Sequence, residues 1–255
     1  MVIVCMIILG LGTECKPHDQ FSVSKTFRSE WYGLGKPGPY APFVLSGRDW
    51  MRLNDFAQQT NMSLLFDLNA FFRKIDSSWD PDNCRRLLKF SSGLGYKDLS
   101  FQLGNEPNSY MHKWGINISG EQLAKDFKRL RKLLSQFANY EDSRVVGPDV
   151  NNIRACTKLE NDINRRVDAT HKKCSALSYL ENFMASTDND IDAVTLHDYY
   201  LNGRKASQED FLNPGLMDGL SAKVQIFKTA FPKRKFWLGE TGSAYGGGAK
   251  GISDR

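Results

Sequence analysis

Phe101-Gln102-Leu103-Gly104-Asn105-Glu106-Pro107 couples a short β-prone run to a triplet at which a strand must stop. Proline has no amide with which to continue a ladder, so Glu106 falls at a strand end. Lys235-Phe236-Trp237-Leu238-Gly239-Glu240-Thr241 repeats the design, an apolar run ending in a glutamate, with the glycine-rich Tyr245-Gly246-Gly247-Gly248 just beyond. Two carboxylates at the C-terminal ends of two strands are what a barrel enzyme needs to attack a glycosidic bond. One protonates the leaving oxygen while the other attacks the sugar.

The chain around these motifs alternates between helical and strand patterns. Trp50, Leu53, Asn54, Phe56 and Ala57 fall at helical spacing, and Leu64 to Asn69 reads as a buried strand. A helix is expected from Asp80 to Ser92, with Asp80-Pro81 as N-cap and first-turn pair, followed by the Leu99 to Leu103 strand. Gly120 to Phe137 is amphipathic, with Leu123, Phe127, Leu130, Leu133, Leu134 and Phe137 on one face and a solvated basic face opposite. Then come a strand from Arg144 to Val150, a polar helical segment from about Thr157 to Ala185, a strand from Asp192 to His197, a helix from Phe211 to Ala230 and the Glu240 strand. Alternation of this kind implies parallel pairing, and a barrel best explains polar residues at successive strand ends.

The expected fold is therefore α/β, a (β/α)8 TIM barrel that is incomplete, with about five or six of its eight strands. Residues 1–15 are a candidate signal peptide or apolar strand, residues 16–45 an irregular loop segment rich in Gly, Pro and aromatics, and residues 46–255 a partial catalytic domain. The apolar run Met1 to Gly12 has the length of a signal-peptide core, although no Lys or Arg precedes it. Gly33 to Gly38 has the form G-x-G-x-x-G, but Pro37 and Pro39 break the helix that a phosphate cradle needs.

Over 255 residues, 34 Lys and Arg against 29 Asp and Glu leave a net charge of +5. That excess suits a polyanionic sugar and is too small to argue for nucleic acid. Five cysteines show no Cys-x-x-Cys pair, and Cys156, Cys174 and His171 match no zinc spacing, so thiols or a disulfide are expected. Asn61-Met62-Ser63 and Asn117-Ile118-Ser119 are glycosylation acceptors if the chain is exported. Near the two glutamates, Asn105 can hydrogen-bond a sugar hydroxyl, His197 and Tyr199 can hold the nucleophile ionised, and Trp237 and Tyr245 can stack on sugar unless Trp237 is core.

Leu65 to Arg73, Leu103 to Tyr110, Val146 to Val150, His197 to Arg204, Glu209 to Pro214 and Trp237 to Ala249 together resemble the heparanase family, retaining endo-β-glucuronidases of the (β/α)8 glycoside hydrolase clan. The resemblance implies Glu106 as acid/base and Glu240 as nucleophile, with the acid's pKa raised for its task. It further implies substrate contacts from Asn105, Asn152 and Tyr199, and a Gly246-Gly247 backbone that receives a substrate carboxylate or sulfate. Non-catalytic sister proteins lack the second glutamate, which stands here as Glu240. Heparan sulfate proteoglycans are the implied partners, with peripheral association with cell-surface glycans, no transmembrane segment, no nucleic acid, and no cofactor or metal. The implied location is secreted, in the extracellular matrix, or lysosomal.

The departures narrow these expectations. Only Arg154 stands where the family carries two adjacent arginines, and His112-Lys113 replaces its paired lysines, leaving Lys113 as the candidate sulfate contact. The family's first two barrel strands, eighth strand and C-terminal β-sandwich find no counterpart. Three readings follow: a heparan sulfate endoglycosidase or a fragment of one, a non-catalytic sulfated-glycan binder, and a glycosidase for another β-glucuronide or neutral glycan. Open strand edges predict poor stability for the isolated chain.

Overall fold

The computed structural model describes residues 2–6, 13–16, 20–23, 44–151, 153 and 171–246. Its central feature is a run of parallel strands in the order β1 (Val2–Met6), β5 (Met62–Leu68), β6 (Leu99–Leu103), β7 (Val146–Asn151), β8 (Ala193–Asn202) and β9 (Phe236–Tyr245). Regular ladders join β1 to β5 to β6 and β7 to β8 to β9, and a parallel bridge from Phe101 to Val145 links the two groups. β5 is apolar on both faces, with Leu64, Leu65, Phe66 and Leu68 all buried, as a strand covered on both sides must be. A separate antiparallel sheet joins β2 (Thr13–Lys16), β3 (Gln20–Val23) and β4 (Val44–Ser46).

Helices supply the outer layer. Ser46 caps α1 (Gly47–Gln59) by accepting from the Asp49 amide, and Trp50 meets Phe66 edge-on at 4.8 Å between ring centroids. α4 (Gly120–Leu134), capped by Ser119, buries Leu123, Phe127, Leu130, Leu133 and Leu134. Phe127 crosses Phe183 of α5 (His171–Ala185) in a T-shaped contact at 5.3 Å. Buried rings in edge-to-face pairs lock the helices against the sheet beyond what area burial alone supplies.

Several expectations change. Val2–Met6 forms a sixth parallel strand, the apolar-strand alternative for that region, and Gln20–Val23 and Val44–Ser46 are strands in or at the border of the segment read as irregular. α2 (Asp82–Gly93) begins after Pro81, so Asp80 lies outside it and accepts from the Asp82 amide instead. The helix expected from Phe211 is interrupted: α6 (Gln208–Phe211) ends before Pro214, and α7 (Leu216–Ala230) restarts beyond it, because proline cannot satisfy the helical ladder. The basic face of α4 is only partly solvated, since Arg131 binds Asp192 and the Ser143 and Asp190 carbonyls. Thr157 to 170, Cys156, the Cys174 and His171 side chains and Gly33 to Gly38 lie outside the described positions; Cys84 is a buried free thiol.

Candidate active site

The C-terminal ends of the parallel strands carry a buried polar layer to which five neighbours each contribute. Asp67 comes from β5, Gln102 from β6, Asp149 from β7, His197 from β8 and Glu240 from β9. Asp67 and Gln102 are register partners, and the Gln102 amide donates to Asp149 Oδ2 at 2.9 Å. Two bulges build the layer. Asp149 is the extra residue of β7 against β8, in left-handed backbone at φ 62°, and Gly239 is the extra residue of β9 against β8. A bulge resets the two-residue alternation of a strand, so these insertions re-aim the side chains on both sides of His197. A Cβ on Gly239 would sit 2.5 Å from Asp149 Oδ1, which makes glycine the residue that permits the approach. Glu240 consequently lies inside β9 rather than at its end, a correction to the expected boundary.

Glu106 leaves β6 through left-handed backbone at φ 53°, a conformation rare outside glycine, asparagine and aspartate. Its amide donates to the Asp149 carbonyl at 3.0 Å, which pins the loop to the neighbouring strand. Asn108 ties the same loop to the end of β7, its side-chain amide donating to Asn151 Oδ1 at 2.9 Å and its Oδ1 accepting from the Asn151 backbone N–H at 3.2 Å.

Around His197 the carboxylates converge. Nδ1 is 3.1 Å from Glu106 Oε1 and 3.4 Å from Glu240 Oε2, and Nε2 is 2.8 Å from Asp149 Oδ2 at ion-pair rather than ideal hydrogen-bond geometry. One oxygen of each glutamate lies within 4.8 Å of the other and of the imidazole. That approach is in keeping with the spacing of a retaining pair, about 5–5.5 Å, rather than the about 6.5–9.5 Å of an inverting pair. Such a cluster could in principle cradle a cation. Here the Lys113 ammonium already lies on Glu106 and the imidazole faces both glutamates, so protein groups supply the positive charge.

The electrostatics of the two glutamates diverge. Burial works to raise Glu106, but hydrogen bonds from His197 and Lys113 and their charges hold it down at about 2. Burial raises Glu240 above its ordinary value, only partly offset by His197 and by Tyr199, whose hydroxyl donates to Glu240 Oε2 at 3.0 Å. Burial lowers and the carboxylates raise His197, which ends at about 10. Tyr199 is pushed up to about 12 by burial and then by the Glu240 charge. The raised value expected of Glu106 is therefore not that of the resting site, because Lys113 and His197 stabilise its anion.

The remaining expected residues divide. Asn105 lies beside the pair, its amide N–H on the Tyr110 hydroxyl at 3.0 Å and its side-chain oxygen buried without a hydrogen-bond partner. Tyr245 is exposed and meets the Tyr199 ring edge-on at 6.5 Å, and Gly246 turns at φ 94° against the Arg204 side chain. Trp237 packs with Leu65, Val146 and Ala193 under the Arg144 guanidinium, which is the core alternative. Asn152, Arg154 and Gly247 lie outside the described positions. Sequence reading missed Asp149, Gly239 and Arg204 as parts of the site. Asp149 and Gly239 stood in the motifs, but their importance comes from bulges that a linear pattern does not reveal.

Several known proteins are similar to this chain in sequence or fold. Residues 36–156 match the model of the glycosyl hydrolase family 79 N-terminal domain. Heparanase from Gallus gallus is 40% identical over 206 residues, 79% of this chain and 36% of that protein. Inactive heparanase-2 from Homo sapiens is 30% identical over 219 residues, 84% of this chain and 34% of that protein. The chain spans about a third of the length of these curated relatives. A solved 4-O-alpha-L-rhamnosyl-beta-D-glucuronidase from Fusarium oxysporum superposes with a TM-score of 0.52 at 14% identity, covering 94% of this chain and 46% of that one, which supports the α/β glycoside hydrolase fold alone. Over 79% of its length this chain is thus similar to heparanases, with the glycosyl hydrolase family 79 N-terminal domain matched in residues 36–156.

Proposed function

We propose that this chain carries the reacting groups of a retaining endo-β-glucuronidase that cleaves heparan sulfate, on a (β/α)8 barrel to which residues 46–255 contribute the catalytic portion. The observation that carries the reading is the meeting of Glu106 and Glu240 within 4.8 Å across one imidazole. In this mechanism Glu240 attacks the anomeric carbon and Glu106 protonates the leaving oxygen, then activates water to release the sugar. Tyr199 holds Glu240 in place through its hydroxyl, and Asn105 is positioned to bind a hydroxyl next to the reacting carbon. Tyr245, Gly246, Lys113 and the exposed Arg204 form the polar and cationic surround for carboxylate and sulfate, and the family resemblance alone assigns Asn152, Arg154 and Gly247 to the same role.

Glu106 needs a proton before it can act. An anionic substrate that draws Lys113 onto its own sulfate or carboxylate removes one of the two cations holding Glu106 ionised, so substrate charge and acid activation are coupled. Heparan sulfate proteoglycans are the corresponding partners, met in the extracellular matrix or the lysosome; among the described residues no helix is long and apolar enough to cross a membrane. The test is covalent trapping with a fluorinated, activated glucuronide, read by mass spectrometry. A single adduct on Glu240 that is absent from Glu240→Gln supports the reading, and an adduct elsewhere or none overturns it.

The Lys113 and His197 contacts that keep Glu106 ionised also favour a second reading, a sulfated-glycan binder without turnover. Heparin affinity retained in Glu240→Gln, weakening with salt and with Arg154→Ala, together with no cleavage by the unaltered chain, is the outcome that selects it.

A further inference from the structure

Both nitrogens of the His197 ring face carboxylate oxygens: Asp149 on one side, Glu106 and Glu240 on the other. A neutral imidazole carries one N–H and one lone pair, so in this setting its lone pair would point at a carboxylate. The His197 side chain is 1% exposed and that of Asp149 is fully buried, so water does not relieve the conflict. Asp149 is fixed from three directions. Gln102 donates to its Oδ2, its own carbonyl receives the Glu106 amide, and its backbone occupies the left-handed bulge of β7. Gly239 leaves the space that Asp149 Oδ1 occupies.

We propose that Asp149 is a positioning residue that keeps His197 an imidazolium, whose Nδ1 proton is the one Glu106 takes up when it becomes the catalytic acid. This deepens the glycosidase reading and rests on it. The step balances. The Nδ1–H bond breaks as an Oε1–H bond forms on Glu106, His197 becomes neutral while keeping its Nε2 proton toward Asp149, and the net charge of the cluster is unchanged. After Glu106 has passed this proton to the leaving oxygen, it accepts one from the attacking water and can return it to Nδ1.

The charged and titratable groups facing His197 come from every packed strand. They are Asp67 on β5, Glu106 beyond β6, Asp149 on β7 and Glu240 on β9, with Lys113 and Tyr199 behind the glutamates. Burial, then the Asp149 charge, hold Asp67 well above the usual carboxylate range, which makes it the poorer counter-ion for the ring. Asp149, whose Oδ2 lies 2.8 Å from Nε2, is the acidic side chain against the ring's far edge in the layer beneath the glutamates.

The experiment is nitrogen-resolved NMR of the imidazole signals of the full chain, in which His197 is one of four histidines. Both ring nitrogens of His197 are expected to stay protonated through neutral pH. Asp149→Asn is expected to lower the His197 transition by roughly 1–3 pH units, the size of effect an opposing charge at this range produces. For cleavage of a heparan sulfate oligosaccharide, the acidic limb of kcat/KM moves to lower pH in the same variant, because His197 is still charged there and Glu240 loses the Asp149 charge that raises it. A His197 ring in the unaltered chain with one unprotonated nitrogen at neutral pH overturns the proposal, whether or not Asp149→Asn folds. An unmoved His197 transition in a folded Asp149→Asn overturns it too. The NMR readout needs no turnover, so absence of cleavage with an intact imidazolium defeats the glycosidase reading separately.

Discussion

Glu106 and Glu240 touch the same imidazole yet live in different parts of the fold. Glu106 stands on a loop pinned to β7 among strands buried on both faces, and it faces two cations. Glu240 stands within β9, an edge among the described residues whose ladder runs to β8 and whose positions are half-buried or exposed. The cation-rich, rigid side depresses its carboxylate and the edge side raises its own. For a retaining reaction with the proposed roles this order must invert, since the acid must be neutral and the nucleophile charged. The contrast locates the control of the site in the movable cation Lys113, whose side chain is 41% exposed, and not in the carboxylates themselves.

The comparison breaks most sharply at the reacting atoms. Glu240→Gln is expected to abolish turnover of a heparan sulfate oligosaccharide. Glu106→Gln should lose about 10²–10⁴-fold on the natural substrate, and much less on an aryl glycoside whose leaving group needs no proton. Equal losses on both substrates would show that the roles are assigned to the wrong glutamates.

Tyr199→Phe tests the edge side. It removes the hydroxyl from Glu240, so a fall in kcat of about 10-fold is expected, as for a hydrogen bond to a charged group worth about 1.5 kcal/mol, with the acidic limb moving upward as Glu240 loses a contact that lowers it. A variant with unchanged rate would place the tyrosine outside the mechanism.

On the rigid side, Lys113→Ala removes a cation that stabilises the Glu106 anion. The alkaline limb of kcat/KM, which reports the acid of the free enzyme, is expected to move to higher pH while KM for sulfated substrate rises. A limb that stays in place while KM rises would confine Lys113 to binding.

Stability gives the smallest and most general signal. His197 has a folded value near 10 against an ordinary 6.5, so its contribution is complete below 6.5 and is lost as pH rises toward 10. Glu106 behaves oppositely, its contribution being present above 4.5 and lost as pH falls toward 2. Melting temperature should therefore decline on both sides of a plateau, and His197→Gln should flatten the alkaline decline.

What a linear reading reached was the periodicity and the two glutamate motifs. Proline after Asn105-Glu106 offers no amide with which to carry the ladder on, and the alternation of buried runs with amphipathic helices leaves parallel pairing as the arrangement that covers both faces. The same reading left Val2–Met6 open between a leader and a strand, because an apolar run of that length serves equally as either until a partner such as β5 is seen beside it. It also gave the glutamates mechanistic roles without their charges. Those depend on Lys113 and His197 meeting Glu106 across 7 and 91 positions of sequence.

By itself the amino-acid order determined which residue types stand at the strand ends, since local propensity, periodicity and chain-stopping chemistry act over a few neighbours. Only the tertiary structure decided that Asp149 and Gly239 bulge on either side of His197, that Glu240 lies within its strand, and that the resting proton favours the imidazole over Glu106. The reason is physical: register between strands and the field at a buried carboxylate are set by groups distant in sequence, and they exist once the chain has brought those groups together.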